Sequence, residues 1–405
     1  MASIKRNMIF NTVGGLWYQG CLWLITVLVV RLASNYEYSG MLALGMTVGN
    51  MMTALGTFNV RIYQVTDSSN RFSQGEYVGF RVISLAGATG LLLGYSAFIS
   101  DSVECWLAIA AFLFFKIDES FVDVFYGVEQ RYERMDYVGI SQMIRGALVV
   151  GAFAASMVVF KNLPIALITM TLPCVAVTFL FDMRIAAKFD SVRPYFLFRH
   201  VKELFVTCLP LVVSIFLLGM IVSVARQVYG SMNGVEKLGI YAAVATPAVL
   251  IQAGARLAYS PLIVPLCDLY HDNVRQFKSR LLSVSACFTV IAAIAVAVFG
   301  LLGPCFLVLL FGDSITAYSH LFIGVLACSA TSALLFFVSD ILVLCRCIKW
   351  DCIIAIICFV CALVFSFVLE ALFDMNGINL SIIFANLVGV ICCYAALAFK
   401  LKESR

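Results

Sequence analysis

Five charged side chains interrupt two adjacent apolar runs in the first half of the sequence. Lys116, Asp118, Glu119 and Asp123 lie in one run, and Arg145 lies in the next. Lys116, Glu119 and Asp123 share one face of a helix, because they follow each other at helical spacing. An isolated charge in an apolar membrane environment costs about 3 kcal/mol or more, so it needs a partner, water or a function. The pattern predicts either an ion-pair lock or a proton or cation relay.

Arg145 is the expected partner of Glu119. Counted from the loop that joins the two runs, both residues lie at a similar depth, and Asp123 lies about one turn away. Lys116 and Arg145 can balance only two of the three acids in the group. The surplus carboxylate is the predicted site of ion coupling.

Uncharged polar residues and isolated arginines form stripes on three other runs. The candidates for substrate binding are Asn11 and Gln19 in the first run, Asn50 and Arg61 in the second, and Gln252 and Arg256 in the eighth. Arg256 has no acid nearby in its own run, and a guanidinium suits two-pronged contact with phosphate. Hydrogen bonding between helices is the alternative role for such stripes.

The composition requires that membrane helices position these residues. Hydrophobic residues make up 62% of the 405 residues and charged residues 12%, where a soluble domain carries roughly a quarter. The mean hydropathy is +1.00. These values exclude soluble enzymes, nucleic-acid binders and disordered proteins.

About twelve runs are long enough to cross a bilayer, which takes about 20 apolar residues per helix. Those of the first half are Met8–Val30, Gly40–Val60, Val78–Ile99, Cys105–Phe125, Val138–Phe160 and Leu163–Phe181. Those of the second half are Leu204–Val224, Leu238–Leu262, Leu281–Leu302, Leu321–Leu344, Cys352–Leu372 and Leu380–Phe399. Because the runs are continuous rather than alternating, the predicted fold class is an all-α polytopic membrane protein.

Lys and Arg residues are distributed unevenly between the connections. Alternate connections and the termini hold most of the 27, and the opposite connections hold only Arg31, Lys161, Arg226 and Lys237. Cytoplasmic loops carry the excess of positive charge, so both termini are predicted to be cytoplasmic. We therefore expect an even number of spans in the cytoplasmic membrane.

A long basic connection at 182–203 divides the chain near its middle. It contains several aromatic residues, which favour a position on the inner membrane surface. We expect an N-terminal six-helix bundle at 1–190, an interfacial linker at 191–203 and a C-terminal six-helix bundle at 204–405.

The second and eighth runs begin alike. Glu37 and Gly40 open the second run at the spacing at which Glu236 and Gly239 open the eighth. The offset is about half of the chain, which indicates that the two bundles are repeats in parallel orientation.

Three segments carry a resemblance to a known family. The run from Asn35 to Gly40 resembles the start of the second helix of polysaccharide transporters, and 234–247, GVEKLGIYAAVATP, resembles their eighth helix. The segment 307–318, LVLLFGDSITAY, is similar to their turn before the tenth helix. These transporters are the lipid-linked oligosaccharide flippases of the multidrug/oligosaccharidyl-lipid/polysaccharide exporter (MOP) superfamily. The resemblance implies two six-helix bundles around a central cavity.

The resemblance implies a flippase that moves a polyprenyl-diphosphate-linked oligosaccharide by alternating access, for cell-surface polysaccharide biosynthesis. Its partners would be that glycan, membrane lipid, a polysaccharide polymerase and a chain-length protein. An ion-coupled drug/cation antiporter of the same superfamily is an alternative, although it would favour an acid in the first run, where this sequence has none. An integral-membrane polysaccharide polymerase is another, but it would need a sizeable outward loop.

The sequence predicts neither a cofactor nor catalysis. It contains no phosphate-binding P-loop, so a membrane potential or an ion gradient is the expected energy source. The 15 cysteines are scattered through apolar runs without metal-site spacing, as small apolar side chains are.

Overall fold

The protein is all-helical over the residues that the computed structural model describes. These residues are 4–33, 36–66, 71–100, 102–248, 266, 269–270, 274–345 and 347–403. Within them the chain forms helices and turns with no strand, and the longest non-helical connection is 187–197. The predicted fold class is confirmed.

Eight helices precede that connection. They are α1 (Ile4–Leu32), α2 (Glu37–Thr57), α3 (Val60–Thr66), α4 (Gln74–Ile99), α5 (Val103–Arg131), α6 (Met135–Phe160), α7 (Leu163–Val177) and α8 (Met183–Ala186). A π-helical turn, Thr178–Asp182, joins α7 to α8. The remaining helices are α9 (Phe198–Asn233), α10 (235–248), α11 (Val274–Phe311), α12 (Leu321–Leu344), α13 (Ile348–Phe373) and α14 (Met375–Glu403).

Polar caps fix where three of the helices begin. Ser73 and Glu76 form a reciprocal capping box at the start of α4. The Ser102 side chain accepts a hydrogen bond from the first turn of α5, and Asn162 does the same for α7. These caps satisfy backbone N–H groups that would otherwise lack a partner.

A helix occupies each of the twelve predicted runs, although the eighth is described only as far as residue 248. In the described part of the chain, nine helices are long and apolar enough to cross a membrane. α5 is not among them, because its charged residues interrupt the apolar run. α5 was predicted as a membrane span and is long enough to be one, but its middle carries charged residues.

Large apolar side chains cover the outer faces of the helices. On α11, Ile291, Ile294, Leu301 and Leu302 are well exposed, and α13 exposes Val364 and other apolar residues in the same way. Such faces are unfavourable in water and suit contact with lipid chains. The exposed surface therefore agrees with a multi-pass membrane protein.

The chain divides into two compact units, Met1–Val212 and Val213–Arg405. In the first unit α5 is central and packs against α2, α3, α4 and α7. In the second unit α14 packs against α12 and α13, and α11 packs against α12. The six-helix bundles with an interfacial linker, their parallel repeat and a cavity between them stay predictions.

α1 and α6 of the first unit approach each other through glycines. A Cβ atom on Gly14 would overlap the backbone of Gly139, and one on Gly139 would overlap the backbone of α1 at Phe10. Small residues allow this closeness, and dense backbone packing is a main source of stability between helices in lipid.

Gly14→Val should destabilise the first unit by about 1–3 kcal/mol or more, because the added atoms meet backbone that cannot rotate away. Thermal unfolding in detergent measures the loss. Gly20→Val is the matched control: it lies on the same helix and carries the same loss of glycine, but a Cβ there meets nothing within 4 Å. Equal melting temperatures for the two variants would contradict the close approach.

Candidate functional site

The central helix of the first unit, α5, brings together most of the charged residues predicted from the sequence. Its side chains reach α3 and α4 on one side and α6 and the π-helical turn on another. Three separate ion-pair groups result.

Arg145 is the centre of the most deeply buried group. Its guanidinium donates to Asp118 Oδ2 at 2.8 Å and to the Thr178 hydroxyl of the π-helical turn. The Thr178 hydroxyl donates in turn to Asp118 Oδ1 at 2.6 Å. Arg145 Nε lies 3.6 Å from Asp182 Oδ2. Because only about 1% of Arg145 is exposed, these acids must balance its charge.

Asp123 binds two arginines. Arg61 Nη1 of α3 lies 2.9 Å from Asp123 Oδ1, and Arg81 Nη2 of α4 lies 3.0 Å from Asp123 Oδ2. Arg81 is fully buried and also donates to the carbonyl of Ser120 at 2.7 Å. Arg61 further donates to the Gln130 side chain at 3.0 Å. This group therefore ties α3 and α4 to α5.

The third group is the ion pair between Lys116 and Glu119, one turn apart on α5. Both side chains keep part of their surface exposed. Their pairing is local to one helix, so it does not join α5 to another element.

The prediction that Glu119 pairs with Arg145 is wrong. Arg145 binds Asp118 and approaches Asp182, while Glu119 binds Lys116. Neighbouring residues on a helix differ by only about 1.5 Å in depth but point about 100° apart, so counting depth could not distinguish Asp118 from Glu119. The choice of partner follows from the direction of the side chain.

The prediction of one surplus acid among Asp118, Glu119 and Asp123 is also wrong, because each of the three is paired. Arg81 is a partner that the sequence did not indicate, although it lies about as far from the start of α4 as Asp123 lies from the end of α5. Two buried acids, Glu129 and Asp182, adjoin the predicted loops and were not indicated by the sequence either.

The candidates for substrate binding lie in different surroundings. Gln19 and Asn50 are exposed, Asn11 is half-buried, and Arg61 is occupied by Asp123 and Gln130. Gln252 and Arg256 lie outside the described residues. The role of these six residues in substrate binding stays a prediction.

The sequence predicts that Arg226 of the second unit lies in an outward loop, and the structure corrects this prediction. It lies inside α9, seven residues before the helix ends at Asn233, which is about 10 Å along the axis. No carboxylate of the described residues forms an ion pair with it, and its Nε is buried without an acceptor. Its guanidinium lies over the ring of Tyr241, at 6.0 Å from the ring centre.

Tyr241 and Tyr229, a residue one turn after Arg226 on α9, each make a hydrogen bond of their own. The Tyr241 hydroxyl donates to Asn379 Oδ1 at 2.8 Å, and the Tyr229 hydroxyl donates to Asp374 Oδ1 at 2.6 Å. Tyr241 is fixed in place by its bond to α14, so the ring can position the guanidinium. The sequence signal for this site was an arginine next to an apolar run, which also describes an ordinary helix end.

The second unit also contains an apolar groove of about 630 Å³. Small side chains of α11 and α12, including Ala293, Ala297, Gly300 and Ala327, line it, and Leu387 of α14 contributes to the wall. A groove of this lining suits hydrocarbon. No group of three or more potential metal ligands occurs among the described residues.

The chain is similar to a protein of polysaccharide biosynthesis. No family model matches it. Capsular polysaccharide biosynthesis protein CapF of Staphylococcus aureus is 24% identical over 404 residues, which cover 96% of this chain and 98% of the relative.

Several solved structures share the fold. An inward-facing multidrug resistance MATE family transporter of the MOP superfamily matches with a TM-score of 0.70 and 14% identity, over 94% of this chain and 95% of that one. The lipid II flippase MurJ, in an inward closed conformation, matches with a TM-score of 0.71 and 10% identity, over 96% and 87%. A MOP superfamily transporter from Pyrococcus furiosus matches with a TM-score of 0.63 and 15% identity, over 98% and 95%.

These comparisons confirm the resemblance to MOP superfamily transporters and flippases. The matched structures are those of transporters and of a lipid II flippase. They show the fold, and a transport role for this chain is a proposal.

Asp118→Ala should destabilise the first unit by roughly 3–5 kcal/mol, because it leaves the Arg145 charge buried with a weaker partner. Glu119→Ala is the matched control, since it removes a neighbouring acid from the same helix. Its loss should be smaller, because the flexible Lys116 side chain can reorient. Thermal unfolding in detergent gives both values.

Replacing both Asp118 and Arg145 by Ala should recover part of the stability that Asp118→Ala loses. The interaction energy from the double-mutant cycle tests whether the two residues are partners. Additive losses, or a larger loss for Glu119→Ala than for Asp118→Ala, would contradict the pairing.

Proposed function

We propose that this protein is a flippase that moves a polyprenyl-diphosphate-linked oligosaccharide across the cytoplasmic membrane by alternating access, for the synthesis of a cell-surface polysaccharide. One observation carries the proposal: the chain matches a capsular polysaccharide biosynthesis protein over almost its whole length. The fold shared with a lipid II flippase supports the same class of lipid-linked substrate. Both termini are cytoplasmic in this proposal, because the basic connections lie on their side.

The diphosphate of such a substrate needs a cation that no protein acid has neutralised. In the first unit, Arg81 and Arg145 are bound to acids and buried. Arg226 differs because it has no acidic partner among the described residues and is only half-buried. We therefore assign Arg226 to the diphosphate, with Arg256 of the undescribed segment as a second candidate. A guanidinium offers parallel N–H donors that fit phosphate oxygens.

The hydrocarbon part of the substrate has a different requirement. A polyprenyl chain is insoluble in water and needs continuous apolar contact while the glycan crosses. The groove between α11 and α12 offers small and apolar side chains in the same unit as Arg226. This supports a lipid-linked substrate over a purely water-soluble one.

A drug/cation antiporter of the same superfamily is the second candidate, because MATE transporters share the fold to a similar degree. The absence of Asp and Glu from α1 argues against it, since an antiporter for cations would favour an acid there. A fold alone does not decide between substrates.

Analysis of a deletion strain separates the candidates. A flippase deletion should accumulate lipid-linked repeat units on the inner leaflet, and a drug exporter deletion should instead become sensitive to toxic cations. Accumulation of normal, externally exposed glycan in the deletion strain would contradict the proposal. Copurification with a polysaccharide polymerase or a chain-length protein would test the proposed partners.

Arg226→Ala should reduce flipping by roughly tenfold or more, since a charge-assisted hydrogen bond contributes about 1.5–3 kcal/mol. Arg226→Lys should fall between the wild type and Arg226→Ala, because it keeps the charge but loses the planar fork. Flipping of a fluorescent polyprenyl-diphosphate glycan in proteoliposomes measures the rate. Lys237→Ala, which removes an exposed cation nearby in the sequence, is the control. Full activity of folded Arg226→Ala would exclude Arg226 as the diphosphate residue.

A further inference from the structure

The connection before α9 ends in a short stretch, residues 193–199, that exposes apolar and basic side chains together. Its exposed apolar members are Tyr195, Phe196, Leu197 and Phe198. Arg193 and Arg199 stand at its two ends, and both are exposed as well. Four consecutive exposed apolar side chains are unfavourable in water, so this aromatic segment is expected to meet another kind of surface.

We propose that the aromatic segment, residues 193–199, is a binding site for anionic phospholipid at the membrane surface. The rings and Leu197 enter the boundary between headgroups and acyl chains, and Arg193 and Arg199 bind the lipid phosphate groups. The proposal goes beyond the transport role and does not depend on the transported substrate. A protein partner and a second copy of this chain are the other occupants that the experiment separates.

Contacts with α4 set the depth of the aromatic segment. The Tyr195 N–H donates to the carbonyl of Gly75 at 2.9 Å. A Cβ atom on Gly75 would overlap the Arg193 carbonyl, and one on Gly79 would overlap the Tyr195 carbonyl. The two backbones therefore touch along the first two turns of α4, where its apolar stretch begins. Because such a stretch starts near the edge of the hydrocarbon core, the segment lies at the level of the lipid headgroups.

Side-chain contacts hold the chain in place directly after the aromatic segment. His200 Nδ1 lies 2.6 Å from Glu76 Oε1 of the capping box of α4, and the His200 ring packs edge-on against Phe72. Arg71 forms an ion pair with Glu203, three residues further along α9. These contacts fix the first turn of α9 without lipid, so binding costs less conformational entropy than it would in a free loop.

The positive charge of the segment is available to an anion from outside the chain. Among the described residues, no ion pair includes Arg193, Arg199 or the exposed Lys202 one turn further on. Glu76 and Glu203, which lie at the starts of α4 and α9, are paired with other residues. Close to a bilayer surface, each such cation is attracted to anionic lipid.

The lipid-facing surface of α9 continues from the segment. Phe198, Phe205 and Leu209 follow each other at helical spacing, and all three are exposed. This stripe leads from the headgroup level into the apolar band of the helices. A bilayer supplies both an anionic surface for the arginines and acyl chains for the stripe, whereas a soluble protein partner would leave the stripe uncovered.

Native mass spectrometry of the purified full chain, titrated with phosphatidylglycerol or phosphatidylcholine, tests the charged part of the site. The wild type should bind phosphatidylglycerol more tightly than phosphatidylcholine. Replacing Arg193 and Arg199 together by Ala should weaken phosphatidylglycerol binding by about tenfold or more, since each cation near an anionic surface contributes about fivefold. Binding of phosphatidylcholine should not change. The matched control replaces Arg184 and Lys188, two exposed cations that precede the segment, by Ala and should keep the preference.

Phe198→Ser tests the apolar part of the site, and Phe98→Ser at the other end of α4 is its matched control. The two side chains are 82% and 89% exposed, so both variants should fold normally. Phe198→Ser should weaken phosphatidylglycerol binding severalfold, because the ring no longer enters the bilayer boundary. Phe98→Ser should leave this binding unchanged.

Unchanged phosphatidylglycerol binding after loss of Arg193 and Arg199 would overturn the proposal, and so would equal affinity of the wild type for the two lipids. An equal loss in the Arg184 and Lys188 variant would also overturn it, because any basic surface would then suffice. If loss of Arg193 and Arg199 instead converts a dimer into a monomer at constant lipid binding, the surface joins two copies. None of these measurements involves flipping, so their outcome is separate from that of the proposed function.

Discussion

The need to neutralise buried charge organises the first unit of this protein. Arg145 and Arg81 have almost no exposed surface, so each must find an acid in the membrane interior. Asp118 and Asp123 of α5 supply those acids, and α5 is therefore held in the centre, between α4 on one side and α6 on the other. Because ion pairs hold α5 in place, its sequence can be less apolar than those of the neighbouring helices.

The other contacts of the unit depend on this arrangement. α6 carries Arg145 to α5, and its opposite contact is the glycine-mediated approach of Gly14 and Gly139 to α1. Such contacts tolerate little displacement, because backbone meets backbone. The ion pairs and the close helix packing therefore both restrict the position of α6.

The sequence predicted the helices well and the side-chain partners poorly, for physical reasons. A membrane span is defined by its length and polarity, and both are local properties of the chain. The choice of an ion-pair partner depends on the direction in which a side chain points. Asp118 and Glu119 are neighbours at nearly equal depth, yet only Asp118 points to Arg145. The end of α9 shows the same limit, because polar residues near Arg226 resembled a loop while the helix continues to Asn233. Arg256, the leading candidate from the sequence, lies outside the described residues and is still a prediction.

The two units differ in how far acids neutralise the charge of their arginines. In the first unit each deeply buried arginine is bound to an acid. A diphosphate would have to displace a protein carboxylate there, which costs the desolvation of that carboxylate. In the second unit Arg226 has an aromatic neighbour instead of an acid among the described residues, so a substrate can bind it without breaking an ion pair. The charges thus favour recognition of an anionic substrate by the second unit.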